Sequence, residues 1–175
     1  GNITGEAFAV GERSPIALLS AGASARMAVA ETITNLASSF IGRIDKISLS
    51  ANWMCSSGTP GDDAKLFEAV KAISEAFCSS LGVCIPVGKD SMSMQTRWKH
   101  EEIMESIVSP LSLVCTGFAS VTDIEKTLTP HLSLHLETEF LFIDLGIDRL
   151  GGSVVCEITG QLGQEPPDIA PECLI

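Results

Sequence analysis

The spacing of apolar positions changes along the chain, and each change predicts an element. Residues 6–10 read as a short strand closed by "GERSP", whose Gly and Pro punctuate a turn. From Ser20 to Ile41 the residues Met27, Ala30, Ile33, Ala37 and Phe40 recur every three or four positions, predicting an amphipathic helix closed by Gly42. "IDKISLSANWM" then alternates at Ile47, Leu49 and Ala51, as a strand with one buried face does. Between Asp62 and Leu81 a second helix carries the stripe Leu66, Val70, Ile73, Phe77 and Leu81, with Asp62 and Asp63 at its positive end and Gly82 as its stop. Strands over 83–87 and 111–120 follow. This order, strand, helix, strand, helix, strand, strand, belongs to a mixed α and β fold.

Residues 122–139 mix polarity around one proline and read as a connector. After them "FLFIDLG" (140–146) predicts an apolar strand, "LGGSVVCEITGQLG" a helix starting at a Gly pair, and "QEPPDIAPECLI" runs out in prolines. One strand and one helix cannot enclose a core, so the chain is expected to stop inside a second domain. Gly1, with no initiating Met and no signal-type segment, is expected to begin a fragment.

Composition narrows the functional classes. An apolar fraction of 45% in 175 residues is ample for a packed core, and no apolar run approaches the ~20 residues of a membrane helix. Twenty-two acidic against eleven basic residues give a net charge of -11, which repels nucleic acid and anionic membranes, so neither is an expected partner. A phosphate ligand must then be held by local groups or by metal. Six cysteines without a C-x-x-C pair suit reduced thiols and a cytoplasmic location.

The stretch "VGKDSMSM" (87–94) resembles a phosphate-binding loop, but spacing excludes a Walker A motif. Gly82 is followed by five residues before Gly88 and Lys89, and Asp90 stands where the hydroxyl belongs. A carboxylate beside Gly-Lys suits a Mg²⁺ bridge to phosphate; a solvated surface turn is the alternative. On the first helix Glu31 and Asn35 are four apart and share a face beside Ser24, just outside the apolar arc. A carboxylate and an amide carbonyl so placed form a partial shell for a hard cation, and a helix-surface hydrogen bond is the competing reading. Arg26 falls inside the apolar arc and requires a carboxylate or a ligand phosphate. His131 and His135 have zinc-like spacing but no helical stripe or Glu beside them, and read as solvated connector residues. The loop in "ANWMCSSGTPGDD" reads equally as a site wall or as an ordinary connection. No nucleophile elbow is present.

Taken in order, "GEAFAVGER", "ASARMAVAETITNLA", "LSANWM", "PGDDAKLFEAV", "VGKDSMSM" and "SPLSLV" resemble one segment of the phosphoribosylformylglycinamidine synthase family (formylglycinamide ribonucleotide amidotransferases) of the large single-chain type, over residues 5–165. The resemblance implies an α+β fold: an aminoimidazole ribonucleotide synthetase-like first domain over 1–121, with a mixed sheet and two packed helices, a connector over 122–138, and the incomplete start of a second α/β domain over 139–175. In the family the strands of the first domain join a barrel-like sheet shared with a counterpart. The implied activity is a carbon–nitrogen ligase of purine biosynthesis that uses glutamine as amido donor. ATP phosphorylates the amide oxygen of formylglycinamide ribonucleotide, and ammonia from a glutaminase domain displaces the phosphate. The implied ligands are ATP or ADP with Mg²⁺, the metal on Glu31, Asn35 and Asp90, and phosphate contacts at Gly88, Lys89, Asp90, Ser91 and Ser93. The remaining domains, the glutaminase among them, would be partners, and this segment alone is expected to be inactive. One of the family's two nucleotide sites is structural, and the Glu31/Asn35 site is a candidate for that role, which leaves a non-catalytic, stabilising half-domain as the alternative.

Overall fold

A computed structural model describes residues 3–132, 137–146 and 148–175. Six strands and four α-helices are assigned among them: β1 (Gly5–Glu12), α1 (Ala21–Leu36), β2 (Ser48–Met54), α2 (Asp62–Lys71), α3 (Cys78–Leu81), β3 (Cys84–Ser91), β4 (Gln95–His100), β5 (Ile103–Val108), β6 (Ser112–Val121) and α4 (Val154–Ile158). The main sheet has the order β1-β6-β2-β3, with β6 antiparallel to both β1 and β2, and β2 parallel to β3. It is therefore the mixed sheet of an α+β domain. The parallel pair is joined through α2, as a crossover connection requires.

One sheet face and the helices enclose the core. Leu49, Ala51 and Trp53 of β2 and Leu113, Cys115 and Ala119 of β6 point into it, so the predicted alternation of β2 holds. Helix α1 begins where Ser20 Oγ accepts a hydrogen bond from the Ala23 N–H at 3.2 Å. It ends at Leu36, earlier than the spacing predicts, and Ala37 and Phe40 of the predicted stripe lie past its last turn and are exposed. The side of α1 that meets the sheet carries Ala28, Thr32 and Leu36 rather than the bulkier predicted stripe. Small residues let the helix approach closely. A Cβ on Gly11 of β1 would stand 2.2 Å from the Ala28 carbonyl oxygen, and one on Gly117 of β6 would stand 2.7 Å from Leu36 Cδ1. The single proton of the fully buried Thr32 hydroxyl is shared between the carbonyls of Ala28 (2.9 Å) and of Cys115 on β6 (3.1 Å).

The second predicted helix is continuous from Asp62 to Leu81, but Ala72–Phe77 forms a π-helical insert between α2 and α3. Ala69, Ile73, Phe77 and Leu81 form its buried line, and Val70 of the predicted stripe faces outward. Gly82 ends it at φ 68°, a left-handed conformation that favours glycine.

Two sequence expectations are corrected. "VGKDS" is not a loop: Gly88, Lys89, Asp90 and Ser91 are the last residues of edge strand β3. "FLFIDLG" forms no strand among the described residues; Phe142 is 91% exposed and its neighbours Phe140 and Leu141 are equally open. A strand needs a neighbour to accept its ladder bonds, and this stretch pairs with no strand among the described residues. The β4–β5 hairpin was not expected, because its turn, with Glu101 at φ 54°, contains no glycine or asparagine to announce it. The helix at the Gly pair is short, with Ser153 as its N-cap.

The outward sheet face carries an exposed apolar patch. Phe8, 73% exposed, lies opposite Phe118, 48% exposed, with ring centroids 6.3 Å apart, and Val10 and Val87 add to the patch. No helix among the described residues is long and apolar enough to cross a membrane.

Candidate nucleotide and metal site

Three side chains on one flank of α1 reach the end of β1. Ser24 Oγ donates to the Arg13 carbonyl at 2.7 Å. Glu31 Oε2 accepts from the Glu12 N–H at 2.8 Å, while its Oε1 lies 3.3 Å from an Arg13 guanidinium nitrogen. Asn35 Nδ2 donates to the Val10 carbonyl at 3.0 Å. The helix-surface hydrogen bonds of the competing reading are thus present, and they leave acceptor oxygens in reserve. A carboxylate oxygen accepts more than one bond, and Asn35, having spent its NH₂ on Val10, keeps its carbonyl oxygen.

This flank forms the floor of a cleft of about 430 Å³, within the range of small-molecule sites. Arg13, Glu31, Thr34 and Asn35 line one side, and Asp144–Gly146, Asp148 and Pro167–Ile169 line the other. The second side is held by one ion pair. Arg26 Nε and Nη2 bond the two carboxylate oxygens of Asp168 at 2.8 and 2.6 Å, and Arg149 Nη2 bonds the Asp168 carbonyl at 3.0 Å. Arg26 therefore takes the structural carboxylate of its two sequence options.

Burial raises the Asp168 pKa, but the hydrogen bond and charge of Arg26, with the Ile169 N–H, outweigh it and hold the carboxyl below its ordinary value. Since the folded value is depressed, the pair's contribution is complete above the unfolded carboxyl pKa near ~4 and is lost as pH falls through the folded value. Amide hydrogen exchange in residues 160–175 is accordingly expected to accelerate below about pH 4, and an Asp168→Asn variant is expected to lack this acid step. At the end of β1 the Ser14 N–H and hydroxyl hold the Glu12 carboxyl below its usual range.

The 88–93 segment lies elsewhere. Asp90 is on β3, at the opposite sheet edge from β1, about 14 Å of sheet width away. It cannot share one ion with Glu31 and Asn35 inside this domain. Gly88, Lys89, Asp90 and Ser91 are exposed, and none of them, nor Ser93, lines the cleft. The segment instead joins the other loop that the sequence singles out: the N–H groups of Cys55 and Ser57 bond the carbonyls of Ser91 and Met92, each at 2.9 Å, and Ser56 bridges Ser93. His131 is exposed, and His135 lies outside the described residues. No group of three or more His, Cys, Asp or Glu side chains able to hold a metal occurs among the described residues.

Sequence reasoning missed Arg13, Asp144, Asp148 and Asp168 as lining residues. Arg26 carried the only signal, since a guanidinium in an apolar arc demands a carboxylate. Nothing in the pattern told which acidic residue would answer.

Residues 1–120 match the family described as the FGAR-AT PurM_N-like domain. The chain belongs to this family. Among solved structures, PurL of Thermotoga maritima in complex with ATP superposes with a TM-score of 0.53 at 19% identity, covering 75% of this chain and 20% of that one. Phosphoribosylformylglycinamidine synthase II of the same organism gives 0.52 at 20% identity, covering 75% and 20%. The PurLQS structure from that organism gives 0.51 at 20%, covering 73% and 19%. The likeness shows the fold. The FGAR-AT PurM_N-like chain spans about a fifth of the length of these structures.

Proposed function

We propose that this chain is one segment of an ATP-dependent carbon–nitrogen ligase, phosphoribosylformylglycinamidine synthase, and that its part is to hold a Mg²⁺-nucleotide at Glu31 and Asn35. The observation that carries the reading is the cleft of this FGAR-AT PurM_N-like domain, whose floor offers a carboxylate and an amide carbonyl one helical turn apart with Arg13 beside them. These hard oxygens fit part of a Mg²⁺ shell, and the other ligands would come from phosphate, water and residues outside this segment. When bound, the ion supplies charge neutralisation on phosphate. Arg13, 3.3 Å from Glu31, is placed to offer a further positive charge.

The rest of the reading follows from the whole enzyme. Formylglycinamide ribonucleotide would be its substrate, glutamine its nitrogen source through a glutaminase domain, and the cytoplasm its location. The domain divisions 1–121, 122–138 and 139–175 belong to the same proposal. The apolar sheet face around Phe8 and Phe118 and the open Phe140–Ile143 segment would be covered by the remaining domains, and Gly88–Ser93 would serve a separate phosphate or substrate contact.

A stabilising rather than catalytic role for the nucleotide is the second reading. It is favoured by the Arg26–Asp168 pair, which ties the second wall of the cleft to α1. Calorimetry with Mg²⁺-ADP on the full chain, wild type against Glu31→Ala/Asn35→Ala, tests the site. The wild type is expected to copurify with nucleotide or bind it, and the double variant to do neither; equal nucleotide in both rejects the assignment. Loss of the melting gain that Mg²⁺-ADP gives the wild type, with turnover spared at saturating ATP, would select the stabilising role.

A further inference from the structure

We propose that Arg26 is a positioning residue for the nucleotide cleft, acting through Asp168. This rests on the reading of Glu31 and Asn35 given above. Asp168 is a wall shared by two hollows. On one side it lines the cleft with Glu31 and Asn35; on the other it borders a smaller hollow with Arg26 and Arg149. Arg26 grips both of its carboxylate oxygens from that second side, Arg149 holds its carbonyl, and its own Oδ1 accepts the Ile169 N–H at 2.9 Å. Gly22, one turn before Arg26 on α1, leaves the room: a Cβ there would stand 3.4 Å from an Arg26 Nη atom and 3.4 Å from Glu68 Oε1.

Two consequences follow for a polyanionic ligand. The pair sets the distance between the α1 floor and the Pro167–Ile169 wall, and so the width of the cleft. It also cancels the charge of Asp168, which otherwise would add to Asp144 and Asp148 along a surface meant to face phosphate. A half-buried aspartate left unpaired at this wall would repel an incoming anion.

The experiment uses the full chain stripped of nucleotide, with three readouts: Mg²⁺-ADP affinity by calorimetry, melting temperature without ligand, and the rate of tryptic cleavage after Arg149. For Arg26→Met, which keeps the aliphatic stem, affinity is expected to fall about ten-fold and cleavage after Arg149 to accelerate. The exchanged pair Arg26→Asp/Asp168→Arg is expected to recover most of both. Unchanged affinity in Arg26→Met overturns the proposal, and so does a loss that the exchange leaves in place while Arg149 stays protected, since that assigns Arg26 to the fold alone. Should Arg26→Met fail to fold, Arg26→Lys carries the test: it keeps the charge but cannot hold both Asp168 oxygens, so a few-fold loss is expected and no loss overturns the proposal. If Glu31→Ala/Asn35→Ala retains nucleotide, the underlying reading fails instead, and the Arg149 cleavage rate still reports whether the clamp exists.

Discussion

Gly11→Ala is expected to be the most destabilising single-methyl change in the chain. The cause is steric alone, because Gly11 lies in β1 with no left-handed backbone conformation. Its new Cβ would stand 2.2 Å from the Ala28 carbonyl oxygen and 2.6 Å from both the Thr32 N–H nitrogen and the Thr32 hydroxyl. All three atoms belong to the turn of α1 whose Thr32 hydroxyl also reaches the Cys115 carbonyl at 3.1 Å. Backbone atoms cannot rotate away, so the helix must lift from the sheet, loosening Val29, Ile33 and Leu36 behind it. Overpacking of this kind costs about 3 kcal/mol, and for a chain of this size the melting temperature should fall by roughly 6–12 °C. Gly88→Ala is the control. A Cβ there meets nothing within 4 Å, and its stability should stay within about 0.5 kcal/mol of wild type. A Gly11→Ala protein melting together with the Gly88→Ala control would show that α1 does not sit this close to β1.

Glu31→Gln is expected to weaken nucleotide binding strongly while leaving the fold intact. Glutamine has the length of glutamate and keeps an amide oxygen able to accept the Glu12 N–H, now 2.8 Å from Oε2. What it lacks is the charge. The Arg13 contact at 3.3 Å is solvent-exposed on the arginine side and should contribute no more than about 1 kcal/mol. A hard cation loses far more when a carboxylate becomes a neutral amide, and affinity for Mg²⁺-ADP should weaken by roughly ten- to hundred-fold. Melting curves without ligand should nearly superimpose on wild type, and the melting gain on adding Mg²⁺-ADP should shrink. A Glu31→Gln protein that binds nucleotide as tightly as wild type would leave Glu31 as a tether between α1 and β1 and nothing more. The Ala variants cannot make this distinction, since they remove tether and ligand together.

Elements with a strong periodic pattern were legible from residues alone. The β2 alternation at Leu49 and Ala51 and the long helix from Asp62 to Gly82 appear where the spacing put them. Each rests on local propensity and one-sided burial, which a linear pattern records directly. The face of α1 that meets the sheet was misread because hydropathy favours bulky residues such as Met27 and Phe40. Close helix–sheet contact instead selects Ala28 and Thr32 facing Gly11 and Gly117, and that pairing spans distant parts of the chain. "VGKDS" looked like a loop because Gly, Lys, Asp and Ser are loop formers. Parallel pairing with "ANWM" of β2, Asn52 with Lys89 and Trp53 with Asp90, overrides that propensity.

The candidate site divides the same way. The sequence by itself determined that Glu31 and Asn35 share a helix flank and that Arg26, in an apolar arc, needs a counter-charge, because both follow from the 3.6-residue turn and the cost of burying an unpaired guanidinium. Only the tertiary structure decided that Asp168, 142 residues from Arg26, supplies that charge. It alone also placed Arg13 beside Glu31 and Asp90 at the far sheet edge. Helical periodicity reaches a few residues along the chain, whereas which carboxylate meets which cation is set by how the layers pack.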